Sequence, residues 1–107
     1  MSLPFNAPKA QSGKIILVAN VLAKDGKGDE VQAALAKVRA AAEASAEKDT
    51  HTYRTTRSEE DPHKFLVFEE YTLPNGIVDH VAGDTFQALA AAGIIADLDI
   101  KYFHEFK

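Results

Sequence analysis

The segment that most limits how this chain can fold is residues 14–23, with the sequence KIILVANVLA. Apolar side chains, several of them β-branched, fill the whole segment apart from Lys14 and Asn20. Gly13 precedes the segment and a Lys-Asp-Gly turn follows it, so the composition predicts a β-strand. Because the apolar residues run on without alternating with polar ones, we expect both faces of this strand to be buried.

The rest of the chain divides into helical and extended segments. An amphipathic helix is predicted from Asp29 to about Lys48 and Asp49, because apolar residues recur at helical spacing. A polar turn at residues 59–62 separates two β-type segments, which predicts a hairpin. The predicted elements after the first helix are a strand at 50–58, a strand at 63–72, a short helix at 74–83, a helix that begins at 84, and an alternating strand at 97–106.

This order is βαββαβ with the second helix broken in two. It predicts the ferredoxin-like class of α+β domain, a four-stranded antiparallel sheet with helices on one face. The other face then lacks cover, and an exposed apolar patch beyond roughly a few hundred Å² is unusual for a monomer. We therefore expect a symmetric homodimer that packs sheet against sheet. The domain is expected at residues 14–107, after a flexible N-terminal arm at residues 1–13.

Charge and composition argue against several classes of function. The 107 residues carry a formal net charge of −4 with a pI of about 5.5 and no basic stripe, so nucleic-acid binding is not expected. No GxGxxG or GxxxxGK[ST] motif occurs, which argues against nucleotide cofactors. The apolar run at 14–23 is too short to span a membrane. The absence of cysteine fits a cytoplasmic location.

Metal binding also has little support in the sequence. The histidines lie on separate predicted elements, without the HxxxH or HxxE spacing of metal ligands. The four histidines are His51, His63, His80 and His104. No metal ion is therefore expected.

Four short stretches, in a fixed order, match one known pattern. They are Asn20 with Gly26 six residues later, Glu47 with Tyr53 six residues later, Asp61-Pro62 followed by Phe65 to Tyr71 (FLVFEEY), and His80 with Phe86 six residues later. In order and spacing they resemble the antibiotic biosynthesis monooxygenase domain family of dimeric α+β barrels, over about residues 14–106. Lys48 and Asp49 stand where that family has proline and glycine, and Gly83 stands where it has serine.

The resemblance implies a dimeric α+β barrel that oxidises small aromatic compounds with O2 and no cofactor. Heme-degrading relatives carry a ligand histidine on the helix after the Phe86-like position. The stretch Gln87–Ala92 contains no histidine, so heme is not expected. The fold alone does not decide activity, since one fold carries many functions.

Cofactor-free oxygenation requires a dry pocket, a proton acceptor and hydrogen-bond donors for the developing oxyanion. We predict three catalytic residues and three that bind substrate. The catalytic candidates are Asn20, Tyr71 and His80. The substrate-binding candidates are Tyr53, Glu69 and Phe86. His80 is attractive because the ordinary pKa of histidine lies near neutrality.

Each candidate also has a structural interpretation. The amide of Asn20 needs hydrogen-bond partners wherever it is buried, and a neighbouring group could supply them. His80 could be a satisfied core histidine, Tyr53 could fill core, and Glu69 could pair with an arginine such as Arg54 or Arg57. His104 lies in the apolar stripe of the last strand, where dimer packing is its expected role.

Three hypotheses for function follow from these features. The favoured one is a cofactor-independent monooxygenase of small aromatic or hydroquinone-type compounds. The second is a non-catalytic dimer that binds a small hydrophobic ligand or serves in a stress response. The third is an isomerase or lyase that uses the same pocket for proton transfer without oxygen.

Overall fold

A computed structural model describes residues 3–44 and 48–107 of the chain. The secondary-structure elements follow the predicted order, and the second helical region is divided in two as expected. The elements are β1 (Gly13–Ala23), α1 (Gly28–Glu43), β2 (Thr50–Arg57), β3 (Lys64–Leu73), α2 (Asn75–Ala82), α3 (Asp84–Ala91) and β4 (Ile95–Phe103). The α1 helix ends at Glu43, earlier than predicted, and Lys48 and Asp49 form a turn before β2. Glu47, the first residue of one family-like stretch, lies outside the described residues.

The four strands form one antiparallel sheet in the order β2-β3-β1-β4. This confirms the predicted ferredoxin-like α+β fold and the hairpin of β2 with β3. The register places Leu17 of β1 beside Glu69 of β3 and Tyr102 of β4. The β4 strand lies at a sheet edge as expected, but it ends at Phe103, so His104 and the residues after it extend beyond the sheet.

The two faces of β1 have different surroundings. Its odd-numbered side chains, from Ile15 to Ala23, are buried on the side that carries the helices. On the other side Ile16, Val18 and Leu22 are half-buried and Asn20 is exposed. This second face, which we call the open face, continues onto β3 and β4, where Phe68 is 36% exposed and Phe103 is 52% exposed. Complete burial of β1 would need a second molecule, and the homodimer stays a prediction.

The core lies between the sheet and α1, α2 and α3. The apolar side of α1 is built at helical spacing from Val31, Leu35 and Val38, all of which are buried. Asp29 and Glu30 occupy its first turn, where negative charge is favourable. Among residues 3–44 and 48–107, none of the helices has the length and the apolar composition that a membrane span requires.

Residues 3–12, the described part of the N-terminal arm, form neither helix nor strand. Leu3, Phe5 and Ala10 are nevertheless partly buried against the core. The division of the chain into a flexible arm and a domain at 14–107 stays a prediction.

Candidate active-site cavity

A cavity of about 260 Å³ lies between the sheet and the helices. Its walls are mainly apolar, with contributions from every helix, every strand and the N-terminal arm. Four side chains bring polar atoms to it: Tyr53, Glu69, Tyr71 and His80. A largely apolar pocket with a few convergent polar groups is the usual form of a small-molecule site.

Glu69 and Tyr71 form a hydrogen-bonded pair on one face of β3. Successive side chains on a strand alternate in direction, so residues two apart share a face. The hydroxyl of Tyr71 donates to Oε1 of Glu69, and both side chains are buried. The bond helps to offset the cost of removing a carboxylate from water.

The two arginines considered as partners for Glu69 lie elsewhere. The guanidinium of Arg57 donates to Asp29 at 2.9 Å and to Gln32 at 2.8 Å. Arg54 is exposed and lies beside Phe68 on the open face. The predicted alternative of an arginine anchor for Glu69 is therefore wrong for Arg57 and Arg54 alike.

His80 is held over β3 by α2. The helix approaches the sheet closely through Gly76, where an added Cβ would lie 2.7 Å from the backbone oxygen of Asp49 and 3.0 Å from the Cβ of Tyr71. One turn later His80 faces the cavity and is only 4% exposed. The glycine thus permits a helix position that brings an imidazole next to the residues of β3.

Three aromatic rings surround the imidazole of His80. Its ring centre lies 4.9 Å from that of Tyr53, 5.7 Å from that of Tyr71 and 5.7 Å from that of Phe86. The phenyl ring of Phe86 meets the imidazole edge to face, and the two tyrosines are tilted. These contacts fix the orientation of a side chain that can exchange a proton.

The structure brings together all but one of the predicted site residues. Those that line the one cavity are Tyr53, Glu69, Tyr71, His80 and Phe86. Asn20 does not line it, because it is an even-numbered residue of β1 and therefore points to the open face. The predicted position of Asn20 beside His80 is wrong for the single protomer, and a catalytic role for Asn20 stays a prediction.

Sequence reasoning missed the part of the cavity that the arm builds. Pro4 and Phe5 line the cavity, and the hydroxyl of Tyr102 donates to the backbone oxygen of Asn6 at 2.8 Å. This hydrogen bond joins two residues that are 96 positions apart in the sequence. The signal in the sequence was the pair of large apolar residues Leu3 and Phe5 in a proline-containing segment.

Tyr102 and Glu69 both lie beside Leu17, Tyr102 on β4 and Glu69 on β3. Burial first, and the negative charge of Glu69 second, raise the pKa of Tyr102 to about 12. Its hydroxyl therefore remains protonated, and a donor, well above neutral pH.

The raised pKa of Tyr102 predicts a loss of stability at high pH. The unfolded chain releases this proton near pH 10 and the folded chain near pH 12, so the folded state is destabilised as pH rises between them. Since the side chain is only half-buried, screening reduces the effect to about 1 kcal/mol. Urea unfolding at pH 9 and pH 11.5 should show that loss in the natural protein and not in Tyr102→Phe. Equal losses in the two proteins would contradict the assignment.

Residues of the types that can bind a metal ion do not cluster in the described parts of the chain. Among residues 3–44 and 48–107, no group of three or more histidine, aspartate or glutamate side chains could hold a metal ion.

Comparison with known proteins gives one family and one fold. The sequence model of the family described as antibiotic biosynthesis monooxygenase matches residues 14–92. No curated protein matches the chain.

Solved structures share the fold over most of their length. PA3566 from Pseudomonas aeruginosa has a TM-score of 0.82 at 17% identity, covering 92% of this chain and 99% of that chain. A protein from Caulobacter crescentus CB15, provisionally described as an antibiotic biosynthesis monooxygenase, has a TM-score of 0.78 at 24% identity, covering 90% and 92%. SO0527 from Shewanella oneidensis has a TM-score of 0.77 at 21% identity, covering 89% and 93%. At these identities the similarity establishes the fold alone.

Proposed function

Because the chain belongs to the antibiotic biosynthesis monooxygenase family, we propose that it is a cofactor-independent monooxygenase of small hydroxylated aromatic compounds. One observation carries the proposal: a mainly apolar cavity holds an imidazole next to a buried Tyr71–Glu69 pair. The arrangement combines a dry space for an aromatic ring with groups that can accept a proton.

The size of the cavity supports substrates of one to two rings. A cavity of roughly 150 Å³ with apolar walls holds benzene. The cavity here is about 260 Å³. It therefore suits a hydroquinone or naphthoquinol, and larger tricyclic anthrones would require the walls to move.

In the proposed chemistry His80 accepts the proton of the substrate hydroxyl. The imidazolium that forms then lies next to the phenolate oxygen and stabilises its charge. Tyr71 is fixed by Glu69, and its hydroxyl oxygen can still accept a hydrogen bond from the substrate. Tyr53 and Phe86 hold the imidazole and the aromatic ring of the substrate in place.

The substrate itself supplies the electrons for the reaction. The electron-rich anion passes an electron to O2, and the two radicals combine at a ring carbon. One oxygen atom stays in the product as a carbonyl or hydroxyl group, and the other leaves as water. A naphthoquinol plus O2 thus gives a hydroxynaphthoquinone plus water, with no external reductant.

The proposed functional unit is a homodimer formed through the open face, in the cytoplasm. What supports the dimer is the apolar surface of Val18, Leu66 and Phe68, which the helices of the protomer do not cover. Arg54 lies beside Phe68 on this face, and Glu70 lies beside Ile16. Opposite charges on one face can pair across a two-fold axis. The cysteine-free sequence suits the cytoplasm.

Oxygen uptake tests the proposed activity. We expect the natural protein to consume O2 with 1,4-naphthoquinol and to form the hydroxyquinone, above the rate of spontaneous oxidation. Naphthalene, which has the same ring and no hydroxyl proton, should bind without turnover. An absence of catalysed uptake across hydroquinones, naphthols and anthrones would reject the oxygenase.

The apolar cavity walls also favour a second function, the non-catalytic binding of a small hydrophobic ligand. A binder would be stabilised against heat by naphthols and would leave their oxidation rate unchanged. An isomerase would convert its substrate under nitrogen. Thermal shift and oxygen uptake, measured with one panel in air and under nitrogen, separate the three functions.

A further inference from the structure

The N-terminal arm, residues 3–12, closes part of the cavity. Pro4 and Phe5 line the cavity together with residues of β4 such as Leu98 and Ile100. Every other residue that lines it belongs to a helix or a strand. The arm precedes the range that the family sequence model matches, which is residues 14–92.

Asn6 fastens the arm to the edge strand β4. Its side-chain amide donates to the backbone oxygen of Ile100 at 3.2 Å, and its own backbone oxygen accepts from the hydroxyl of Tyr102 at 2.8 Å. Both partners belong to a strand at the sheet edge. The pKa of Tyr102 is raised to about 12, so its hydroxyl keeps its proton and this second bond persists across the physiological pH range.

We propose that the arm is a gate: it must leave β4 before a small aromatic molecule can enter the cavity, and the two hydrogen bonds of Asn6 hold it shut. The inference rests on the proposed binding of such a molecule and is independent of its oxidation.

The arm is the part of the wall that can move at least cost. The strands and helices around the cavity carry buried core side chains such as Leu17, Val67 and Ile77, and displacing them would disrupt the core. The arm has no regular structure, and none of its side chains at residues 3–12 is fully buried. Leu3, Phe5 and Ala10 are half-buried, whereas Asn6 and Gln11 are exposed. Segments with few buried contacts open locally while the rest of a protein remains folded.

The gate can be tested by measuring the rate of naphthalene binding in a stopped-flow instrument. The fluorescence of naphthalene itself reports the binding. Naphthalene has no hydroxyl proton, so binding is measured apart from turnover. In the natural protein the observed association rate should level off as naphthalene concentration rises, because opening becomes limiting. Tyr102→Phe and Asn6→Ala should each raise that limiting rate several-fold, and deletion of residues 1–12 should raise it at least roughly tenfold.

The matched control is Gln11→Ala, an exposed position of the same arm, which should behave as the natural protein. Circular dichroism establishes that each variant is folded. If the deletion variant does not fold, the two point variants still decide the question. Measurable binding at rates that all variants share would overturn the gate and leave the proposed function intact. Failure of naphthalene to bind any folded variant would overturn the gate and the proposed ligand class together.

Discussion

Replacement of His80 by alanine should lower kcat/KM for quinol oxidation by at least about 100-fold, the usual contribution of a positioned proton acceptor. His80 faces the cavity from α2 with its ring fixed by Tyr53, Tyr71 and Phe86. Loss of the imidazole removes the proposed acceptor and leaves the aromatic wall in place. Oxygen uptake with naphthoquinol measures the effect, and naphthalene binding should change far less.

The matched control for this experiment is His104→Ala, which removes an exposed imidazole beyond the end of β4. Its activity should equal that of the natural protein. Added imidazole should restore part of the rate in His80→Ala, because the truncated side chain leaves space for it. A purely structural His80 would show no such rescue. Folded His80→Ala with activity within about threefold of the natural protein would remove His80 from the mechanism.

The fold could be predicted from the sequence because the signals that define it are local. The strand at 14–23, the helical spacing of Val31 and Leu35, and the shared face of Glu69 and Tyr71 all depend on periodicities within one element. These features predicted the element order, the sheet with helices on one face, and the shared face of two site residues, but not the hydrogen bond between them. The early end of α1 at Glu43 shows the usual limit of such predictions at element boundaries.

The predicted position of Asn20 was wrong for a physical reason. Whether a residue of β1 shares a face with Tyr71 depends on the register between β1 and β3, in which Tyr71 lies beside Ile15. The run at 14–23 is apolar on both sides and does not reveal which side carries the helices. The contacts of Asn6 with β4 could not be predicted from local patterns either, because they join opposite ends of the chain.

A charged substitution on the open face should have a second large effect, the loss of the proposed dimer. Leu66→Asp should convert the proposed dimer to a monomer, raising the dissociation constant by roughly 1,000-fold or more, since an unpaired buried charge costs several kcal/mol. Leu66 is 40% exposed in the protomer, so the protomer itself should tolerate the charge. Its neighbours across the sheet are Asn20 and Thr56, neither of which can neutralise a carboxylate. Sedimentation velocity at micromolar concentrations measures the change.

Leu98→Asp is the matched control, because the sheet presents the two leucines on opposite sides. Leu98 is also 40% exposed and also lies on a strand, but it is on the helix side, beside Val21. If the open face is the dimer interface, only the substitution at Leu66 releases monomers. If the natural protein sediments as a monomer, or if both variants stay dimeric, the sheet-to-sheet dimer is wrong. The apolar side chains of the open face would then need a different partner.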